Sequence, residues 1–119
     1  MAETATEDTR QCARRYFEAW TTGDTATAGA ALHPDFQFSA GDMQIDGRDA
    51  FLSAGAFPRD AVVTMVAEAY EGGVAFQMYD ATLDGRTARI VEQLAVKDGL
   101  IVRSTFVTDM ASFLALTGR

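Results

Sequence analysis

The chain has 119 residues but only one cysteine and one histidine. With Cys12 as the only cysteine, an intrachain disulfide and a cysteine-based metal site are both excluded. With His33 as the only histidine, a histidine-rich metal cluster is excluded, and with it the zinc hydrolases and the two-histidine iron enzymes. A Ser-His-Asp triad would depend on His33, which stands beside Pro34 in a connection. The sequence therefore predicts no metal site and no histidine-based nucleophilic centre.

Positive charge is scarce as well: the net charge is −7, Lys97 is the only lysine, and the arginines are scattered. Nucleic acids and anionic membranes are bound by clusters of Lys and Arg, so we expect neither as a partner. No apolar segment reaches the length of about 18 residues that a membrane span requires. The first residues are acidic and lack an apolar run, so no secretory signal is predicted and a cytoplasmic location is expected.

What the chain does contain is an ordinary globular composition, with 48% hydrophobic and 23% charged residues, and one domain is predicted over residues 1–119. Near the start, Cys12, Tyr16 and Trp20 recur at four-residue spacing, which places them on one face of a helix. Gly23 is predicted to end this helix. A helix with aromatic residues along one face needs a wide apolar surface to lie on, and we expect strands later in the chain to provide it.

Shorter elements flank this helix. Residues 4–7 have the Thr-x-x-Glu pattern of a capping box, which predicts the helix start. A second, alanine-rich helix is predicted over residues 24–32, with an aspartate as its cap. Alternating apolar and polar residues predict short strands at 36–38 and 43–45, and residues 50–54 are predicted to form a short helix.

The second half of the chain is rich in β-forming residues. Runs at 62–70, 74–83, 87–96 and 100–109 are separated by short Gly-Gly and Asp-Gly turns. These dipeptides accept the positive φ of tight hairpin turns, so they predict an antiparallel meander of four long strands. Helices followed by a meander predict an α+β fold, with the helices on the concave face of a strongly curved sheet and a cone-shaped cavity between them.

Several short motifs in a fixed order also resemble those of a known family. They are Tyr16 through Asp24, Pro34-Asp35-Phe36, Asp46-Gly47, Asp98 through Ile101, Phe106 through Asp109, and the Leu-x-Gly ending at residues 116–118. This order is similar to that of the NTF2-like superfamily, in particular its SnoaL-like and ketosteroid-isomerase-like branch. The resemblance implies a cone-shaped, usually dimeric protein with a pocket for a hydrophobic small molecule and no cofactor.

The resemblance also implies candidate catalytic residues. Tyr16 matches the helix tyrosine that donates to an oxyanion in ketosteroid isomerases, and Glu92 matches the buried acid that supplies the second donor. Asp109 matches the acid/base aspartate on the last strand of SnoaL-like proteins. The general base of the isomerases falls at about Ala40, and Asp42 is two residues away, so steroid isomerisation is disfavoured. Epoxide-hydrolase relatives need an Arg-x-Asp motif, which this chain lacks.

Each candidate also has a structural interpretation. Tyr16 could be a packing aromatic residue at the cavity edge. Glu92 shares an apolar strand face, and it could instead pair with Arg89 or Arg103, or it could face solvent. Asp109 suits the N-cap of the C-terminal helical turn. These alternatives predict different surroundings for the three side chains.

A set of apolar and small residues is expected to line the pocket. It consists of Trp20, Phe38, Ala40, Phe57, Met78, Leu94, Phe106 and Thr108. The leading function is a cofactor-free isomerase, cyclase or dehydratase-type lyase that acts on a hydrophobic carbonyl substrate. The alternatives are a non-catalytic module that binds a hydrophobic molecule, and an interaction dimer whose cavity is filled by Phe and Met. A homodimer through the sheet is expected in each case.

Overall fold

Helices at the start of the chain lie against a sheet formed by the rest of it. The structure is a computed structural model that describes residues 2–54 and 60–116, and the side chains of residues 5–54 and 60–114. The described helices are α1 (Ala2–Thr21), α2 (Thr25–Ala30), α3 (Arg48–Ser53) and α4 (Met110–Leu116). The described strands are β1 (Leu32–Ala40), β2 (Met43–Asp46), β3 (Val62–Glu71), β4 (Val74–Leu83), β5 (Arg86–Lys97) and β6 (Leu100–Thr108).

The strands form one open sheet in the order β2-β1-β6-β5-β4-β3. Strands β3 to β6 are the predicted antiparallel meander, and their ends agree with the predicted runs to within one residue. Two-residue turns join them, with positive φ at Gly72, Asp84, Gly85, Asp98 and Gly99. Strand β1 is parallel to β6 and antiparallel to β2. The predicted α+β fold with helices on the concave face of a curved sheet is confirmed.

Two bulges bend the long strands. In β3 the pairing with β4 skips Val66, and in β6 the pairing with β5 skips Val102. Each extra residue locally increases the twist and bend of its strand. It also exchanges the faces on which the residues before and after it lie, because side chains alternate along a strand. The bulge at Val102 therefore decides which residues of β6 face α1.

Helix α1 covers the concave face of strands β3 to β6. Its buried residues recur every three or four positions, as the sequence predicted; they are Thr9, Cys12, Ala13, Tyr16, Ala19 and Trp20. The sheet presents an alternating set of buried residues to this helix. The set comprises Ala75, Gln77, Tyr79, Ala81, Ala88, Ile90, Glu92, Leu94 and Ser104. Most of this interior is apolar, and the polar members lie near its centre on adjacent strands.

Some predicted boundaries are wrong. Helix α1 begins at Ala2, so Thr4 lies inside the helix and is not its N-cap. Strand β1 begins at Leu32, where a helix was predicted, because Leu32 pairs with Ile101 of β6. The Ile101 N–H also donates to the carbonyl of Ala31, 2.8 Å away, which ends α2 before this point. None of the described helices combines the length and the apolar character needed to cross a lipid bilayer.

Candidate functional site

A carboxyl group lies at the centre of the interior beneath α1. Glu92 on β5 is only 4% exposed. Its Oε1 atom accepts a hydrogen bond of 2.9 Å from the hydroxyl of Tyr79 on β4, and its Oε2 atom accepts one of 2.5 Å from the hydroxyl of Ser104 on β6. Both donors are themselves buried. Two neutral hydroxyls, one from each neighbouring strand, therefore hold this acid.

Burial dominates the electrostatics of this cluster. It raises the pKa of Glu92 above its usual range, although the hydrogen bonds from Ser104 and Tyr79 act in the opposite direction. Burial also raises the pKa of the Tyr16 hydroxyl well above its ordinary value, with a further contribution from the charge of Glu92. The pKa of Tyr79 is raised for the same two reasons and by its hydrogen bond to Glu92. The cluster favours neutral groups, which can donate hydrogen bonds.

The structure brings Tyr16 and Glu92 together, as the predicted roles require. Tyr16 is 1% exposed on α1, and its hydroxyl is close enough to Glu92 and Tyr79 for their charges to affect one another. The alternative pairings of Glu92 with an arginine are not observed. Arg89 makes two hydrogen bonds to Asp80, at 2.8 and 3.0 Å.

The orientation of β5 also excludes a solvent-facing Glu92. Gln93 is exposed, and so is Arg103, which lies one position before Ser104 on β6. Both residues therefore lie on the face opposite to the acid. Within residues 5–54 and 60–114, the ion pairs of the arginines are made with other carboxylates, and none involves Glu92. Its charged form is thus stabilised only by hydroxyl groups.

Aromatic rings surround this polar cluster on two sides. Phe17 and Trp20 of α1 each contact the ring of Tyr79, at centroid distances of 5.4 and 5.3 Å. On the other side, a chain of ring contacts at 5.0 to 5.9 Å joins Phe36, Phe51, Phe38, Phe106 and Phe113. The walls of the interior are therefore apolar and aromatic, which is the lining that hydrophobic ligands require.

Most of the predicted pocket residues lie on this side of the sheet. Trp20, Phe38, Ala40 and Leu94 are buried. Phe106 and Thr108 lie on the concave face of β6, and Val107 between them is exposed on the opposite face. Phe57 lies outside the described residues.

The prediction for Met78 needs correction. Met78 lies between Gln77 and Tyr79, both buried on the concave face, and it pairs with Val91 on β5. Because side chains alternate along a strand, Met78 is on the opposite face of the sheet from the other predicted pocket residues.

Asp109 occupies a different place from Glu92. Its Oδ1 atom accepts from the N–H of Ala111 at 3.1 Å, and its Oδ2 atom accepts from the hydroxyl of Ser112 at 2.7 Å. The hydrogen bond from Ser112 lowers the pKa of this exposed carboxyl. Asp109 follows Phe106, the residue opposite Glu92, by three positions, which is about 10 Å along a strand. In this structure Asp109 caps α4, and its predicted acid/base role stays a prediction.

Ala40 is at about the position where the resemblance to ketosteroid isomerases implies a general base. Ala40 is the last residue of β1 and pairs with Phe106, which in turn pairs with Glu92. Ala40 thus faces the interior near the acid without a group that could take a proton. Asp42 is exposed in the turn to β2. Across residues 2–54 and 60–116, no three His, Cys, Asp or Glu side chains are grouped so that they could hold a metal ion.

A second polar network reaches the interior from the edge of the sheet. Arg14 of α1 donates to Glu68 of β3 at 2.6 Å, and the hydroxyl of Tyr70 donates to the same Glu68 oxygen at 2.8 Å. The amide Nε2 of Gln77 donates to the Tyr70 hydroxyl at 3.4 Å. Gln77 is completely buried, and it pairs with Glu92 across β4 and β5. The network therefore links an exposed ion pair to the side chain beside the acid.

Sequence reasoning missed Tyr79, Ser104 and Gln77. A signal was present for two of them, because the Asp-Gly turn between β4 and β5 fixes a register that places Tyr79 and Gln77 on the face of Glu92. Strand alternation placed Ser104 on one face with the predicted pocket residues Phe106 and Thr108. That this is also the face of Glu92 depends on the bulge at Val102.

A depression of about 330 Å³ lies elsewhere, at the strands β1, β2 and β6. Its lining is Gln37, Phe38, Ser39, Gln44, Arg103 and Thr105. Most of these side chains are polar, and Arg103 and Thr105 flank Ser104 in the sequence, so they lie on the opposite face from the acid. This depression does not match the predicted hydrophobic pocket.

Comparison with known proteins identifies the family. The profile of the SnoaL-like domain matches residues 13–104 of the chain. The chain belongs to the SnoaL-like domain family. No curated protein sequence matches it closely enough to be counted as a relative. The matched region includes Tyr16, Glu92 and Ser104.

Solved structures agree with this assignment. A protein of Kribbella flavida described as a candidate ketosteroid isomerase has 28% identity, and the alignment covers 87% of this chain and 79% of that protein, with a TM-score of 0.83. A SnoaL-like polyketide cyclase candidate of Jannaschia has 16% identity, covering 96% and 94%, with a TM-score of 0.79. An LEH-like epoxide hydrolase of M. tuberculosis has 16% identity, covering 95% and 92%, with a TM-score of 0.76. The last two likenesses concern the fold alone.

Proposed function

We propose that this SnoaL-like protein binds a hydrophobic small molecule between α1 and the sheet, and that Glu92 and Tyr16 donate hydrogen bonds to an oxygen of that molecule. The observation that carries the proposal is the Glu92 carboxyl, which is buried among aromatic walls and bonded only by hydroxyls. A buried acid without a cation destabilises a fold, so such a group is a candidate functional residue.

The chemistry that follows from this arrangement is acid catalysis at a carbonyl oxygen. A neutral carboxyl and a neutral phenol can stabilise the negative charge that develops on an enolate oxygen. Such an activity needs no cofactor and fits an isomerase, a cyclase or a dehydratase-type lyase. The description of the Kribbella flavida relative as a candidate ketosteroid isomerase supports this class of reaction.

The alanine at position 40 narrows the class of substrate. Without a base near Glu92, a carbon acid of ordinary strength would lose its proton slowly. A 1,3-dicarbonyl compound loses a proton to water far more readily, so it would depend mainly on the stabilisation of its enol oxygen. We therefore take a hydrophobic 1,3-dicarbonyl compound as the best model substrate.

A non-catalytic binding module is the second candidate function. Two observations favour it: Ala40 supplies no base, and Asp109 acts as a helix cap. In this case the same cluster would bind a hydrophobic ligand through its oxygen and leave it chemically unchanged.

A single probe tests both candidates. Binding of 1-phenylbutane-1,3-dione can be followed through the fluorescence of Trp20, the only tryptophan, and the exchange of its C2 hydrogens in D₂O by NMR. The proposal predicts binding and faster exchange than in buffer. Glu92→Gln and Tyr16→Phe should reduce the acceleration at least tenfold, whereas Glu18→Gln on the exposed face of α1 should not.

The outcomes separate the two functions. Acceleration that survives unchanged in Glu92→Gln would remove the catalytic role of Glu92. Binding that is weakened by Glu92→Gln, without any accelerated exchange in the wild type, would favour the binding module.

We also propose a homodimer through the sheet. The face opposite to α1 carries exposed apolar side chains, including Phe76 at 45% and Val107 at 60% exposure. Val107 continues a row with Val91 and Met78 across three strands. Sedimentation analysis should show a dimer that Val107→Lys dissociates and that Glu18→Lys leaves intact; a wild-type monomer would refute this proposal.

A further inference from the structure

Gln77 is a buried polar residue that the proposed chemistry does not use. Its side chain is completely buried beneath α1. In the sheet it stands between two acidic residues, with Glu68 opposite on β3 and Glu92 opposite on β5. Facing residues on adjacent antiparallel strands lie about 5 Å apart, so Gln77 is an immediate neighbour of the candidate acid.

The hydrogen bonds of Tyr70 determine how the amide of Gln77 is oriented. A tyrosine hydroxyl has one hydrogen, and that of Tyr70 is donated to Glu68 at 2.8 Å. The Tyr70 oxygen can therefore only accept from Gln77, which requires the Nε2 group to face it, as observed at 3.4 Å. The salt bridge from Arg14 holds Glu68 in place for this arrangement. The carbonyl oxygen Oε1 of Gln77 is left on the side away from Tyr70.

This carbonyl oxygen has no hydrogen-bond donor among the described residues, although it is shielded from solvent. An amide oxygen that is buried without a donor destabilises the folded protein, because it has lost its hydrogen bonds to water and gained none. A leucine of similar volume would avoid this cost. The orphan acceptor lies beside Glu92, within the same enclosed interior.

We propose that the carbonyl oxygen of Gln77 is a specificity determinant, which accepts a hydrogen bond from a hydroxyl or N–H group of the bound molecule. This inference rests on the proposed function, because Glu92 and Tyr16 bind the first oxygen of the same molecule. Because Gln77 and Glu92 are neighbours, the donor group of the ligand must lie within two or three covalent bonds of the ligand oxygen that Glu92 and Tyr16 bind. The ligand class is therefore a hydrophobic carbonyl compound with a hydroxyl or N–H on a neighbouring carbon.

A matched pair of compounds tests this assignment. Benzoin and deoxybenzoin are hydrophobic ketones that differ by one hydroxyl group on the carbon next to the carbonyl. We expect the wild-type protein to bind benzoin about fivefold more tightly, which is the usual effect of one neutral hydrogen bond. The dissociation constants can be measured through the fluorescence of Trp20.

Substitution of Gln77 should remove the preference without removing binding. In Gln77→Leu and in Gln77→Met the two dissociation constants should become equal, while deoxybenzoin binds as in the wild type. Two variants are used so that a defect of packing in one of them does not decide the result. Gln93→Leu, on the exposed face of β5, is the control and should keep the preference.

The outcomes distinguish this inference from the proposed function. If the preference for benzoin persists in both Gln77 variants, or if the wild type shows no preference, the role of Gln77 is refuted while the pocket stands. If the wild type binds neither ketone, the proposed pocket fails and the role of Gln77 fails with it.

Discussion

The hydroxyl of Ser104 donates a hydrogen bond of 2.5 Å to the Glu92 carboxyl, and this contact depends on a bulge two residues earlier in β6. The Asp98-Gly99 turn between β5 and β6 pairs Lys97 with Leu100. Uninterrupted pairing from there would place Thr105 opposite Glu92. The extra residue Val102 shifts the register, so that Ser104 and Phe106 share the face of Glu92 and Thr105 lies on the other face. One unpaired residue thus selects the second donor to the acid.

Removal of that donor should raise the pKa of Glu92 further. In Ser104→Ala the charged carboxylate loses one of its two hydrogen bonds, while its burial is unchanged. Titration of the glutamate carboxyl carbons by NMR should show the midpoint of the Glu92 titration at a higher pH than in the wild type. Thr105→Ala removes a hydroxyl from the other face and should leave the midpoint of the Glu92 titration unchanged. An equal shift in both variants would mean that the bond from Ser104 is unimportant.

Glu92→Gln should stabilise the protein at neutral pH but not in acid. The folded-state pKa of Glu92 is raised above its ordinary value of 4.5, so between these two values the folded protein retains a proton that the unfolded chain releases. The free energy of unfolding of the wild type therefore falls as pH rises through this window. Glutamine does not titrate.

The difference between the two proteins should be small below pH 4.5 and should grow to about 1–3 kcal/mol above the raised pKa, the usual scale for a poorly compensated buried group. Urea unfolding in acid and at neutral pH measures it. A difference that is independent of pH would show that Glu92 does not titrate in this window.

Asp109→Asn and Asp109→Ala should separate helix capping from catalysis. Asparagine retains an oxygen that can accept from the N–H of Ala111, whereas alanine retains none. If Asp109 only caps α4, the asparagine variant should keep its thermal midpoint and its exchange activity toward the diketone. The alanine variant should unfold at a modestly lower temperature. Loss of activity in a stable asparagine variant would restore the predicted acid/base role.

Gly73→Ala should disturb the hairpin next to the site. A Cβ atom at this position would lie 2.8 Å from the carbonyl oxygen of Val96, and the Gly73 carbonyl also accepts from the N–H of Val96 at 2.7 Å. The methyl group would meet a backbone atom of strand β5, so the contact cannot be relieved by a side-chain rotation. We expect a loss of about 1–3 kcal/mol in the free energy of unfolding.

Gly29→Ala is the matched control. There the new methyl group would meet the end of the Leu52 side chain at 3.0 Å, which can move, and alanine favours the helix α2. A cost in Gly29→Ala as large as that in Gly73→Ala would argue against a backbone clash as the cause. Urea unfolding of the two variants provides the comparison.

Local sequence signals placed a large part of the fold. The Asp-Gly and Gly-Gly dipeptides accept the positive φ of tight turns, and their spacing predicted the ends of β3 to β6 to within one residue. The four-residue spacing of Cys12, Tyr16 and Trp20 predicted the buried face of α1. The start of β1 was missed because it depends on pairing with β6, almost seventy residues later in the chain, as in the pair of Leu32 with Ile101.

The sequence by itself determined the fold class, the face of α1 that is buried and the candidacy of Glu92, because turns, helix periods and strand alternation act over a few residues. Only the tertiary structure decided what surrounds that acid. Tyr79, Ser104 and Gln77 reach it from neighbouring strands, and for Ser104 the face is set by the bulge at Val102. The structure also places Asp109 as the cap of α4. Burial is a property of the whole fold, and it raises the pKa of Glu92, whereas the hydrogen bonds from the two neighbouring strands act in the opposite direction.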